Sequence, residues 1–172
     1  MITKIDLCSM ALLKLGEKPI QSWTDNSVSA QLARTLFNPI IDALISSHPW
    51  RFSMQEFTIQ KNTDGDFIVP SNVLRILKCK GEVIGNKILS DSDTVQILAS
   101  IRINPEQFPS YFISLAATKL AMEFCIPLTG NQTILRMLLA LYESEFQSAK
   151  FIDSTTSISN DIGDFSLISA RF

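Results

Sequence analysis

The chain has 172 residues, 46% of them hydrophobic and 19% charged, which is enough for one domain with a substantial core and too little for two of ordinary size. Fifteen basic residues against seventeen acidic ones leave a net charge of −2, and the basic residues are scattered, so tight sequence-independent binding to nucleic-acid phosphates has no electrostatic source. The charged fraction lies below the roughly 25% of an average soluble domain, and a mean hydropathy of +0.19 predicts a subunit of an assembly, with more apolar surface than a monomer of this size hides.

The opening residues carry Lys4 and Asp6 and reach Lys14 without a small-residue cleavage pattern. That composition is wrong for a secretion signal, and the expectation is a protein that stays in a cytoplasm, at least while it folds. Ile5, Cys8, Leu12 and Leu15 recur three or four residues apart and predict a first helix over 4–15. Thr3 caps it, Asp6 completes a weak capping box, and Gly16 stops it. A linker with Pro19, Trp23 and Asp25 leads to a second helix, capped by Asp25 or Ser27 and reaching Ser47. Leu32, Leu36, Ile40 and Leu44 make one stripe and Ala33, Phe37, Ile41 and Ile45 an adjacent one, a wide face that packs on more than one neighbour. Pro39 sits inside this helix and removes a hydrogen bond to the Thr35 carbonyl, so a kink or a break is expected.

Between residues 52 and 105 the period falls to two, with strands expected over 57–60, 67–69, 74–80, 82–89 and 94–103. Asp64-Gly65 and Gly85-Asn86 fit tight hairpin turns. Val95, Ile97, Ala99, Ile101 and Ile103 alternate with Gln96, Leu98, Ser100 and Arg102, as in a sheet that buries one face, here against helices. A third helix begins near Pro109, turns Ile113, Ala116, Ala117, Leu120 and Phe124 inward, and ends before Pro127. Asn131 caps a fourth, with Leu135, Leu138, Leu139, Tyr142, Phe146 and Ala149 as its stripe. Arg136, Glu143, Glu145 and Lys150 are left for solvent or a neighbouring subunit, and the helix ends near Ile152. The remainder, 154–172, is rich in Ser, Thr, Asp, Asn and Gly yet keeps Ile158, Ile162, Phe165, Leu167, Ile168 and Phe172, the composition of a flexible tail that a partner orders. Apolar runs stop well before the roughly 20 residues of a membrane span, so no membrane-crossing helix is expected.

The fold class read from these elements is α+β. A four-helix bundle-like helical domain (1–51 and 106–153) carries an inserted antiparallel β region (52–105) between the second and third main helices, followed by the tail.

Chemistry is sparse. His48, between Ser47 and Pro49, reads as a cap or as packing beside Trp50 rather than as a base, because a base needs an orienting partner and a nucleophile. Gly81 and Gly85 do not continue into a phosphate loop. Asp64 with Asp66, and Asp91 with Asp93, lack the further acidic ligands of a calcium loop and read as turns. Cys8, Cys79 and Cys125 are odd in number and far apart, which suits buried free thiols, and Cys125 has no basic activator nearby. No catalytic residue, metal or cofactor is assigned. Trp50-Arg51-Phe52 at a helix-to-strand junction can be a core anchor or a docking patch, and the anchor is favoured.

Several stretches together resemble the tail tubular protein A family of short-tailed bacteriophages and related prophage head-to-tail adaptors. They are Ala11-Leu12-Leu13-Lys14-Leu15-Gly16, Ile20-Gln21-Ser22, Ala43-Leu44-Ile45-Ser46-Ser47-His48-Pro49-Trp50-Arg51-Phe52, Val69-Pro70-Ser71-Asn72-Val73-Leu74-Arg75-Ile76 and Ala116-Ala117-Thr118-Lys119-Leu120-Ala121. Asn72 stands where the family usually favours an acidic residue, and nothing after Ile152 matches it. The resemblance implies a virion protein at the head-tail junction, a homo-oligomeric ring of about twelve copies beneath the portal protein that meets the tail nozzle or tail fibre proteins. DNA would pass through without specific binding, past a weakly acidic or neutral lining. By the family's pattern, Tyr142, Phe146, Ile158, Phe165, Ile168 and Phe172 are the expected portal contacts. Gly85, Asn86, Lys87, Trp50 and Arg51 are the expected ring or nozzle contacts. Two alternatives stay open: a small enzyme of unrecognised type, which a deep polar pocket with perturbed acids would mark, and a bacterial interaction module, which a compact monomer without exposed apolar faces would mark.

Overall fold

A computed structural model describes residues 1–155. Local caps set where its helices begin. Thr3 Oγ1 accepts from the Asp6 amide at 3.2 Å and the Asp6 carboxylate accepts from the Thr3 amide at 2.8 Å, so the capping box is complete and α1 runs Lys4–Lys14. Ser27 Oγ accepts from the Ala30 amide and starts α2, Val28–Ser47. Asn131 Oδ1 accepts from the Thr133 and Ile134 amides at 2.9 and 3.1 Å and starts α4, Gln132–Thr155, which continues past the expected end at Ile152.

Pro39 and Pro127 lie inside continuous helices, so α2 does not break at Pro39 and α3, Ser110–Thr129, does not end before Pro127 but at Gly130, whose φ of +60° supplies the left-handed cap. Both prolines lie on solvent-facing positions, and so do Thr35 and Glu123, four residues back. Water can therefore reach the carbonyls that lost their donors, and the helices persist.

α3 forms the middle of the helical layer and packs on α1, α2 and α4. Phe112, Leu115, Leu120 and Phe124 are wholly buried there, in one core with Leu7, Leu12, Phe37, Leu44 and Trp50. By length and composition alone α3 is apolar enough to cross a membrane, contrary to the sequence expectation, and its central place in the core accounts for that apolarity.

The β region comprises β1 (Met54–Gln60), β2 (Phe67–Ile68), β3 (Val73–Cys79), β4 (Glu82–Ile84), β5 (Lys87–Leu89) and β6 (Thr94–Ile101). It forms two antiparallel sheets, in the orders β1-β6-β3 and β2-β5-β4. Residues 82–89 form a hairpin with its turn at Gly85-Asn86, as expected of that pair: Ile84 pairs with Lys87 across it, and Gly85 takes the positive φ, +62°, that a two-residue turn asks of its first central residue. Asp64-Gly65 does lie in a turn, with Asn62 Oδ1 accepting from the Asp64 and Asp66 amides, but it links strands of different sheets and closes no hairpin.

The expected burial of the sheet against helices holds only at one end. Val95, Ile97 and Ala99 of β6 meet Phe67 and Ile88 of the second sheet, so the two sheets enclose a core of their own. In β3 the register slips twice: Arg75 faces Ser100 and Val73 faces Ile101, leaving Leu74 extra, and Leu77 is extra between Ile76 and Lys78. Leu74 packs on the helical core, as does Ile103 just beyond β6. The joint is completed by the Arg102 guanidinium on the Asp42 carboxylate (Nε to Oδ1, 2.9 Å) and by Arg75 Nη1 donating to the Ser46 carbonyl at 3.0 Å.

Candidate functional site

Trp50 lies just past the end of α2, after His48 and Pro49, and is 0% exposed. Its indole Nε1 donates to the Leu44 carbonyl at 3.0 Å, and the ring meets Phe112, Phe146 and His48 at centroid distances of 5.2, 5.8 and 4.7 Å. Trp50 is therefore a core anchor, and its expected contact with a ring neighbour or nozzle is corrected: the side chain has no surface to offer. Arg51 is exposed.

Beside this cluster lies Asp153, 2% exposed, in the last turn of α4. It accepts from the Tyr111 hydroxyl at 2.6 Å and, on both oxygens, from the Arg51 amide at 3.2 Å. His48 Nε2 sits 4.0 Å from it. Burial and then the bond to Asp153 push the Tyr111 phenol up, so Tyr111 stays a donor. Burial holds the His48 imidazole below its ordinary value, with Asp153 pulling the other way. The arrangement ties the end of α4 to the α2–β1 junction and the start of α3. The sequence reading missed it, because Asp153 and Arg51 are 102 residues apart in the chain.

Tyr142 and Phe146, expected to meet a portal, are half-buried against the helical core and stack on each other at 5.7 Å. Lys119 lies over the first ring and Lys150 over the second, each 5.6 Å from the centroid. The inner faces of both rings are thus committed to packing. Ile158, Phe165, Ile168 and Phe172 lie outside the described residues. Leu139, expected in the inner stripe, is exposed, and Glu145, expected at the surface, has its Oε2 buried without a hydrogen-bond partner and its Oε1 3.9 Å from Lys14 Nζ.

The apolar surface of α4 lies elsewhere. Met137, Leu141, Ser144, Ser148 and Phe151 follow at steps of four and three, one line along the helix about 21 Å long. All five are exposed, Met137 and Phe151 at 69% each, and none carries a charge. A second patch, on the outer face of the smaller sheet, sets exposed apolar side chains among Glu82 and Lys87. Ile68, Lys87 and Ile84 stand side by side across β2, β5 and β4, with Leu89 two residues beyond Lys87. Ile84 is 55% exposed, and the lysine of the row is paired with Asp66. Gly85, Asn86 and Lys87, expected at an interface, are all exposed, the first two beside this patch and Lys87 within it. Alternation about the buried Ile88 was the sequence signal that could have found it.

Among the described residues no group of three or more His, Cys, Asp and Glu side chains could hold a metal. Asp91 and Asp93 are exposed in the turn between β5 and β6. Cys8 and Cys125 are buried and Cys79 half-buried, all as free thiols, and burial pushes the Cys8 thiol up to about 12. No protein-family model matches the chain, and neither does any curated protein with which it was compared.

Proposed function

We propose that this chain is the structural subunit of a head-to-tail adaptor of the kind its sequence resembles, the tail tubular protein A family. Copies close a ring of about twelve beneath a portal protein and lead DNA on to the tail nozzle. The observation that carries this reading is the pair of exposed apolar faces on unlike elements, the α4 line and the outer patch of the smaller sheet. A ring closes through contacts between two different surfaces of the same subunit, and apolar patches of this kind mark such contacts. The net charge of −2 suits a conduit that does not grip DNA.

Electron microscopy of the purified chain mixed with a portal ring from the same genome tests the reading. A second ring stacked on the portal is the expected image, and bare portals at saturating chain would refute it. Tight, salt-sensitive retention of duplex DNA by that ring would contradict the conduit role.

A further inference from the structure

The edge strands of a sheet present backbone groups that can pair with another chain, and folded proteins blunt such edges with bulges, lysines, prolines or short strands. Three of the four edges in the described residues are blunted. β3 carries two bulges together with Arg75 and Lys78, and β2 and β4 are only two and three residues long. β1 has none of these devices. Its seven residues pair with β6 one for one, from Met54 with Ser100 to Gln60 with Thr94, without a bulge, and include neither proline nor lysine. Among the described residues, 55–60 make no backbone hydrogen bond beyond that ladder. A flat strand of about 24 Å therefore has an outer edge with no protein partner.

The core between the two sheets is also open at this rim. Phe57 and Ile59, opposite Ile97 and Val95 of β6, point into that core yet are only half-buried. Thr58 between them lies on the other face and is exposed, as are Glu56 and Gln60. This pattern complements itself. An antiparallel second copy of β1 centred on Thr58 sets threonine against threonine, Phe57 against Ile59 on both sides of the axis, and Glu56 against Gln60. Thr–Thr and aromatic–β-branched pairs are favourable across strands, and no like charges meet. Centring on Glu56 instead would bring two carboxylates face to face, and centring on Phe57 would set Ile59 against Gln55.

We propose that β1 pairs with β1 of a second copy of this chain about a two-fold axis at Thr58. The two larger sheets then form one continuous sheet in the order β3-β6-β1-β1-β6-β3, and each copy's Phe57 and Ile59 cover the open rim of the other. One added strand buries less than the roughly 800 Å² per partner of a standard interface, so the dimer forms reversibly, at micromolar concentration. The contact uses neither the α4 line nor the patch on the smaller sheet, and it stands or falls separately from the adaptor reading.

Sedimentation equilibrium of the full chain tests it. The wild-type mass should rise from 19.2 kDa towards twice that value across the micromolar range. Thr58→Lys brings two ammonium groups face to face and should weaken the association about fivefold or more, and mixing it with Thr58→Glu should restore it. Under mild oxidation Thr58→Cys should link two copies at least about tenfold faster than Glu56→Cys, whose cysteines would stand about 14 Å apart in this register. Wild type, in which Cys79 is the one thiol not buried, gives the background rate. Circular dichroism melts check that each variant is folded, and if Thr58→Lys is not, the two cysteine variants decide. A wild-type mass fixed at 19.2 kDa, a self-association indifferent to Thr58→Lys, or Thr58→Cys linking no faster than Glu56→Cys would each overturn the proposal.

Discussion

Removing the Asp153 carboxylate should loosen the junction of α2, α3 and α4 by an amount the geometry sets. The side chain is 2% exposed and accepts the Tyr111 hydroxyl at 2.6 Å and the Arg51 amide at 3.2 Å. Hydrogen bonds to a charged group contribute about 1.5–3 kcal/mol each, so Tyr111→Phe should destabilise the fold by about that much. Asp153→Ala takes away the acceptor of both donors and should cost about 3–5 kcal/mol. Because the two substitutions remove the same bond, the double variant should fall short of the sum by about 1 kcal/mol or more. Urea unfolding followed by tryptophan fluorescence and by far-ultraviolet dichroism gives all three values, provided the denaturant slope is constant. Single losses below about 0.5 kcal/mol that simply add would refute the reasoning.

The same cluster carries a pH dependence. Burial depresses the His48 pKa in the folded state, so the unfolded chain binds the proton more readily. Stability is therefore fully present above the unfolded value, about 6.5, and is lost as pH falls below it. His48→Gln should flatten the urea midpoint between about pH 7.5 and 5.5, and an equally steep curve would count against the assignment. Pro39→Ala should raise stability by about 1–3 kcal/mol in thermal melts, since it restores a helix hydrogen bond without disturbing any buried contact. At the smaller sheet, Gly81→Ala should be worse than Gly85→Ala. A Cβ at Gly81 would lie 2.7 Å from the Leu89 carbonyl oxygen, whereas Gly85→Ala meets open space and costs only its backbone conformation, about 1–2 kcal/mol.

What could be read in the sequence was mostly local. Thr3 with Asp6, Ser27 and Asn131 announce helix starts because a cap bonds an amide two or three residues away. The alternation of β6 was legible because successive side chains of a strand point to opposite faces, a period the residues themselves carry. Pro127 misled as a helix end because the cost of a proline depends on whether the freed carbonyl faces water, which only the assembled helices decide. Strand partners were beyond reach: β1 pairs with β6 across the whole insertion, and the bulges that turn Leu74 to the helices come from that pairing. The exposed line on α4 was overlooked because this helix has apolar residues on more than one side, and only the packing of Leu138, Ala149 and Asp153 shows which side is inward. Asp153 itself, a carboxylate near the end of the helix, gave no local sign that it would be buried.

In the proposed function, exposed apolar faces make copies join around a portal. Native mass spectrometry of the chain with a portal ring from the same genome, comparing wild type with Ile84→Lys, tests it directly. Ile84 is 55% exposed, so the substitution should leave the melting temperature nearly unchanged. Wild type should add about twelve copies to one portal and Ile84→Lys few or none. A wild-type chain that adds no copies, or an Ile84→Lys chain that completes the ring as readily, would contradict the account.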